Sequence, residues 1–154
     1  MTSSPPPDSN RAHELHTTAS QRLRRVDQRY TTNRRALVEL LDTTDHPVTI
    51  AEVLTLRSGL AQSSVYRNLS VLESAGIVHR VVANDEFTRF ELAQDLTEHH
   101  HHLICSACGA VADFTMEPQL EASMADAFAR VSTQTGFETD HHRLDLVGHC
   151  ADCR

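Results

Sequence analysis

No run of about 18 apolar residues, the length that spans a bilayer, occurs anywhere in this 154-residue chain. No segment is therefore read as crossing a membrane. The first ten residues, Met1 to Asn10, are polar and carry three successive prolines. They lack the apolar stretch of a signal peptide and are expected to form a disordered tail on a cytoplasmic protein. Enzyme signatures are missing as well. There is no His-Glu-x-x-His and no Gly-x-Ser-x-Gly, and no proline precedes Cys105 as a zinc deaminase would require. Lysine and tryptophan are absent. Arginine suits phosphate contacts better than lysine does, although genome composition is the simpler reason for an all-arginine chain. Cysteine is scarce, and its four copies form two C-x-x-C pairs, Cys105/Cys108 and Cys150/Cys153. In a reducing compartment such pairs act as thiolate ligands rather than disulfides.

The net charge of −7 is unevenly spread. Residues 1–90 hold 11 arginines against 10 acids, and residues 91–154 hold 3 against 11. Arg11, Arg22, Arg24, Arg25, Arg29, Arg34 and Arg35 make the amino-terminal third basic, and the other half is acidic. Two jobs are implied.

Periodicity divides the chain accordingly. Helices are expected at about 11–27, 33–43, 50–57 and 62–75, with Thr32 or Asn33 capping the second, Thr49 the third and Gly76 ending the fourth. Strands at 77–82 and 87–92 follow as a hairpin. This order is that of a winged helix-turn-helix, with the fourth helix as recognition helix. After a hinge at 93–98, residues 99–154 read as strand 99–105, strand 110–115, helix 117–133 burying Leu120, Met124, Phe128 and Val131, and strand 143–148. The expected architecture is thus α+β. A tail (1–10) precedes a winged-helix domain (11–92), a hinge (93–98) and a dimerisation and metal-binding domain with a three-stranded antiparallel sheet (99–154). So small a sheet needs a staple and a partner subunit.

The ligands converge on one stretch, His99-His100-His101-His102-Leu103-Ile104-Cys105-Ser106-Ala107-Cys108. In a strand, alternate side chains face opposite ways. The four cysteines, with 41 residues between the pairs, complete a tetrahedral shell for structural Zn²⁺; redox dithiols or free thiols are the plainer alternatives. A wing hairpin closing about Asp85 sets His79 opposite Glu91 on one face. With His100 and His102 they would form a His₃Glu site, for which His46 or Asp113 could supply a substitute ligand. The opposite face offers His99 and His101, with Glu121 and His142 as candidate partners. The plain alternative for all of these is solvated polar residues. His141 and His149 receive no role.

These residues resemble the ferric uptake regulator family of metal-responsive repressors. Arg29-Tyr30-Thr31-Thr32-Asn33-Arg34 is similar to its R-x-T-x-x-R entry to the second helix, and Ser64-Val65-Tyr66-Arg67-Asn68-Leu69 to its recognition helix. Arg89-Phe90-Glu91-Leu92, the histidine run and Gly148-His149-Cys150-Ala151-Asp152-Cys153 match its hinge, metal strand and last knuckle. The resemblance covers about residues 29–154. It implies a homodimeric, metal-dependent repressor on a palindromic, A·T-rich DNA operator, with half-sites about 34 Å apart. It further implies structural Zn²⁺ on the four cysteines, a regulatory site using Glu91, His100 and His102, and an accessory site using His99, His101, Glu121 and His142. DNA contacts would come from Arg29 in the minor groove, Arg34 at a phosphate, and Ser64, Tyr66 and Arg67. The regulatory metal is expected to be Zn²⁺, with Fe²⁺ or Mn²⁺ next and a peroxide-sensing role after those. Zinc-sensing members hold a ligand on the first wing strand, as His79 would be, whereas Glu91 is the choice of iron regulators and peroxide sensors favour Asp there. A metal-buffering protein is the distant alternative.

Overall fold

The computed structural model describes residues 9–83 and 85–154. Most of the expected tail therefore lies outside the described residues, as does Asn84 in the wing turn. The chain divides into two compact units, Met1–Val82 with Glu86–Glu98, and Ala83–Asp85 with His99–Arg154.

The first unit is a closed helical core under a small sheet. Helix α1 (Ser9–Arg25) exposes Arg11, Arg24 and Arg25, turns half-buried Arg22 onto the Gly76 carbonyl and Asp95, and buries Leu15, Ala19 and Leu23, four residues apart on one face. Helix α2 (Thr32–Thr43) begins one residue before the expected start. Thr31, extended at φ −75° and ψ 163°, accepts from the Arg34 amide, so Thr31 and not Thr32 or Asn33 closes the first turn. A two-residue strand β1 (Val48–Thr49), too short for periodicity to reveal, leads into α3 (Ile50–Leu56). Thr49 caps α3 in a capping box with Glu52, which returns a hydrogen-bond acceptor to the Thr49 amide. Helix α4 (Gln62–Ser74) buries Val65, Leu69 and Leu72. It ends at Gly76, whose φ of +69° suits a residue without Cβ; the Ile77 amide reaches Leu72 O at 2.9 Å and the Gly76 amide Glu73 O at 2.9 Å.

The wing is strands β2 (Val78–Val82) and β3 (Thr88–Leu92), antiparallel and in the expected register, with His79 opposite Glu91. Strand β1 pairs with the far side of β3. Phe90, Leu92, Ile77 and Val78 then complete the core formed by α1, α2 and α4.

The second unit orders its strands β5-β4-β6, with β4 (His101–Cys105) central, β5 (Val111–Phe114) and β6 (Asp145–Gly148). The β4–β5 pair is antiparallel. The expectation of a wholly antiparallel sheet fails at β6, which runs parallel to β4. Helix α5 (Pro118–Thr135) lies between β5 and β6, and a crossover of that length is what a strand parallel to β4 requires. The expected burial of α5 is also corrected. No α5 residue is buried, and Leu120 and Val131 are 53% and 54% exposed. The stripe has the right spacing, but among the described residues only half-buried Met124 and Phe128, the latter against His142, are partly covered. Among the described residues, no helix is long and apolar enough to cross a membrane.

Candidate metal centres and nucleic-acid face

Three ligand groups grow out of β4. At its end, Cys105 and the turn residue Cys108 meet Cys150, which precedes a 3₁₀ turn (Ala151–Cys153), and Cys153, the last residue of that turn. One sulfur from each lies within 4.8 Å of the others. The Cys108 and Cys150 sulfurs are 3.8 Å apart. Zinc–sulfur bonds of ~2.3 Å in a tetrahedron require an edge of about 3.8 Å, and a disulfide only ~2.05 Å. Backbone amides of Cys108, Cys150 and Ala107 hold the Cys105 thiol down to about 6. The neighbouring Cys150 and Cys108 thiols push Cys153 up to about 12. Four crowded sulfurs resist joint ionisation until a cation joins them, so the donor set fits Zn²⁺.

The strand begins at His101, two residues later than expected, and His99 from the segment before it joins His101 of one face. Glu121 Oε1 lies 2.9 Å from His99 Nε2 and 2.9 Å from His142 Nε2, while Oε2 lies 3.0 Å from His101 Nε2. The His99 and His142 Nε2 atoms are 3.2 Å apart. Bonds of ~2.0–2.1 Å to a tetrahedral ion give edges of about 3.3 Å, close to this spacing. A hydrogen bond from His101, with the charges of His99 and His142, keeps the Glu121 carboxyl below its ordinary range. His101 is 1% exposed, and its Nδ1 is buried with no hydrogen-bond partner.

His102 lies on the other face, and His100, just before the strand, stands beside it with the rings 5.4 Å apart. Strand β5 sets Asp113 directly opposite His102. Asp113 Oδ1 is 3.8 Å from His102 Nε2, and Oδ2 is 4.0 Å from His100 Nε2. Behind them, Asp145 of β6 lies 3.2 Å from His102 Nδ1. An ionised carboxylate only accepts, so a cation bound at Nε2 would leave Nδ1 as the protonated nitrogen, donating to Asp145. Asp113 was legible as a substitute ligand. Asp145 was missed, because nothing in its local sequence reveals a parallel register with His102. In the first unit Glu91 is half-buried and exposed His79 stands opposite it. Within the same unit His46 pairs with Asp45 at 2.8 Å and Glu52 at 3.6 Å.

The outer face of α4 presents Tyr66, 53% exposed, and exposed Arg67, with Ser64 half-buried at its start. Arg29 is exposed in the preceding loop. Arg34, expected at a phosphate, has its guanidinium turned inward, as described below.

A winged helix joined to a small sheet whose central strand gathers cysteine, histidine and carboxylate ligands defines a metal-responsive DNA-binding regulator. The model of the ferric uptake regulator family matches residues 25–147, and the chain belongs to that family. The peroxide operon regulator of Bacillus subtilis is 32% identical over 147 residues, covering 92% of this chain and 94% of its own. The Francisella tularensis ferric uptake regulator, solved with iron, is 27% identical with a TM-score of 0.58, covering 81% of this chain and 93% of its own. The Helicobacter pylori regulator, described as having three functional metal-binding sites, shares the fold at a TM-score of 0.69 and 20% identity, covering 92% and 93%. Members of this family are metal-responsive, DNA-binding repressors and not enzymes.

Proposed function

We propose that this chain is a homodimeric repressor whose operator affinity is set by Fe²⁺ or Mn²⁺ at His100, His102 and Asp113, with Glu91 of the wing as a further donor and the four cysteines holding structural Zn²⁺. The observation that carries the choice of metal is Asp113. A carboxylate facing the two imidazoles shifts the donor set from the nitrogen-rich one expected with His79 towards the oxygen-rich mixture that Fe²⁺ and Mn²⁺ accept with added ligands. Donors drawn from the wing and from β4 would couple metal binding to the placement of α4 on DNA. A coupling of about 1–3 kcal/mol corresponds to roughly 5–150-fold tighter operator binding. His99, His101, Glu121 and His142 are read as an accessory cation site. Tyr66, Arg67 and Ser64 are read as facing the major groove and Arg29 the minor groove, where arginine favours narrow A·T-rich DNA. The exposed stripe of α5 and the exposed edge strand β6 support a homodimer, and with it a palindromic operator.

Operator binding at buffered Fe²⁺, Mn²⁺ and Zn²⁺, with the structural zinc retained, tests the metal. Fe²⁺ or Mn²⁺ should activate at the lowest free concentration; activation by Zn²⁺ alone would restore the zinc-sensing reading. A peroxide response is the second reading, favoured by the peroxide operon regulator among the relatives. It requires that hydrogen peroxide abolish binding by the iron-loaded protein and spare the zinc-loaded one, since Zn²⁺ has no redox chemistry.

A further inference from the structure

Arg34 sits in the first turn of α2, and its guanidinium makes three hydrogen bonds, one from each nitrogen. Nε donates to Asn68 Oδ1 at 3.1 Å, Nη1 to the Arg29 carbonyl at 2.6 Å, and Nη2 to Gln28 Oε1 at 3.0 Å. Asn68 is on α4, and its side-chain amide donates in turn to Ser64 O at 2.9 Å and Ser64 Oγ at 3.3 Å. The group is half-buried, and among the described residues no carboxylate pairs with Arg34. Two surfaces that the proposed function places on DNA are thereby joined: the loop that carries Arg29 and the start of the recognition helix.

We infer that Arg34 is a positioning residue for DNA recognition, a latch that holds the Arg29 loop in fixed register with α4. The planar fork is the reason the position takes arginine. Its donors are rigidly spaced and meet three acceptors on two elements at once, whereas a lysine ammonium is a point charge on a flexible stem. A guanidinium so engaged has few N–H groups left for a phosphate, although its charge still adds to the basic surface. The latch also makes the two readouts interdependent. A loop free to move relative to α4 would lose the benefit of Arg29 even with Arg29 intact.

The inference rests on the DNA-binding reading, and the test separates the two. The probe is the duplex that the metal-saturated wild-type protein recovers from a randomised DNA library. Its binding by wild type, Arg34→Lys, Asn68→Ala, Arg29→Ala and the pairwise combinations is measured across a salt series. Arg34→Lys keeps the charge but loses the fork, and should weaken binding about ten-fold, the worth of one or two hydrogen bonds, with an unchanged salt slope. Adding Asn68→Ala to it should cost little more, and Arg29→Ala should cost less in the Arg34→Lys background than in wild type. Thermal denaturation checks folding; should Arg34→Lys unfold, Asn68→Ala carries the same comparison with Arg29→Ala. Wild-type affinity in Arg34→Lys, together with a slope lowered by about 0.9 per protomer in Arg34→Gln, would make Arg34 a phosphate contact and overturn the latch. Strict additivity with Arg29→Ala would overturn it as well. A wild-type protein that recovers no duplex with any metal would overturn the DNA-binding reading, and the latch with it.

Discussion

The two units are held together by different forces. In the first, α1, α2 and α4 bury leucine and valine from three sides against Phe90, and helix ends are closed by Thr31, Thr49 and Gly76. In the second, the fully buried side chains among the strands include His101 and His102, α5 buries nothing, and β6 is exposed throughout. A hydrophobic core can sustain the first unit alone. The second buries little apolar surface, and on the proposed function it would rely on coordination and on a surface that a second chain covers. On the proposed function, the unit with the hydrophobic core is the one that would touch DNA, and the unit that carries the metal ligands is the one that would sense the metal.

The largest expected effect follows from the four cysteines. Cys153→Ser, or a chelator strong enough to strip zinc, should unfold the second unit, since structural zinc contributes about 10–16 kcal/mol in small domains. Hydrogen exchange should show amides of β4, β5 and β6 losing protection while those of α2 and α4 keep it; equal loss in both units would erase the contrast. Next in size, Leu69→Ala should lower the stability of the first unit by about 2–5 kcal/mol at any protein concentration. Val131→Glu should instead shift sedimentation towards a single chain of 17.2 kDa and leave helix α4 intact.

Within the second unit, the faces of β4 differ in support. Asp145 stands 3.2 Å behind the His102 Nδ1, and among the described residues the His101 Nδ1 has no such partner. Asp145→Asn should weaken metal binding at His100, His102 and Asp113 by about 10–100-fold, read as Co²⁺ d–d absorption during titration, with the four-cysteine site unaffected. The same change at Asp145 should leave the His99, His101, Glu121 and His142 group untouched; weakening of both would mean a general disturbance of the sheet.

The smallest effect lies in the first unit. A hydrogen bond to Asp45, with the Asp45 and Glu52 charges, raises the His46 pKa above 6.5. The same bond from His46 lowers the Asp45 carboxyl, which stays ionised across the neutral range. A histidine whose pKa rises on folding contributes stability that is complete below its unfolded value and lost as pH climbs through the raised one. The stability difference between wild type and His46→Gln should therefore shrink from about pH 5.5 to about pH 8, by less than ~1 kcal/mol for so exposed a pair. Growth of the difference with pH would contradict this assignment.

Much of this arrangement was legible because it is periodic. Strand alternation separated His100 and His102 from His99 and His101, and a hairpin centred on Asp85 placed His79 against Glu91 as observed. Less could be read where partners meet through turns and crossovers. Asp113 reaches His102 because the Cys105–Gly109 turn sets the β4–β5 register, and Asp145 because α5 returns the chain parallel to β4. Helical spacing identified the α5 stripe but not that Leu120 and Val131 stay exposed among the described residues. Arg34 matched a motif, and only the fold showed that its guanidinium points at Asn68 and the Arg29 carbonyl.

The central claim is that Asp113, not His79, completes the switch with His100 and His102. Fe²⁺-dependent operator affinity of Asp113→Ala and His79→Ala, each with its four-cysteine zinc intact, tests it most directly. The account predicts that Asp113→Ala loses the metal response and His79→Ala keeps it. A full response in Asp113→Ala, with loss in His79→Ala, would contradict it.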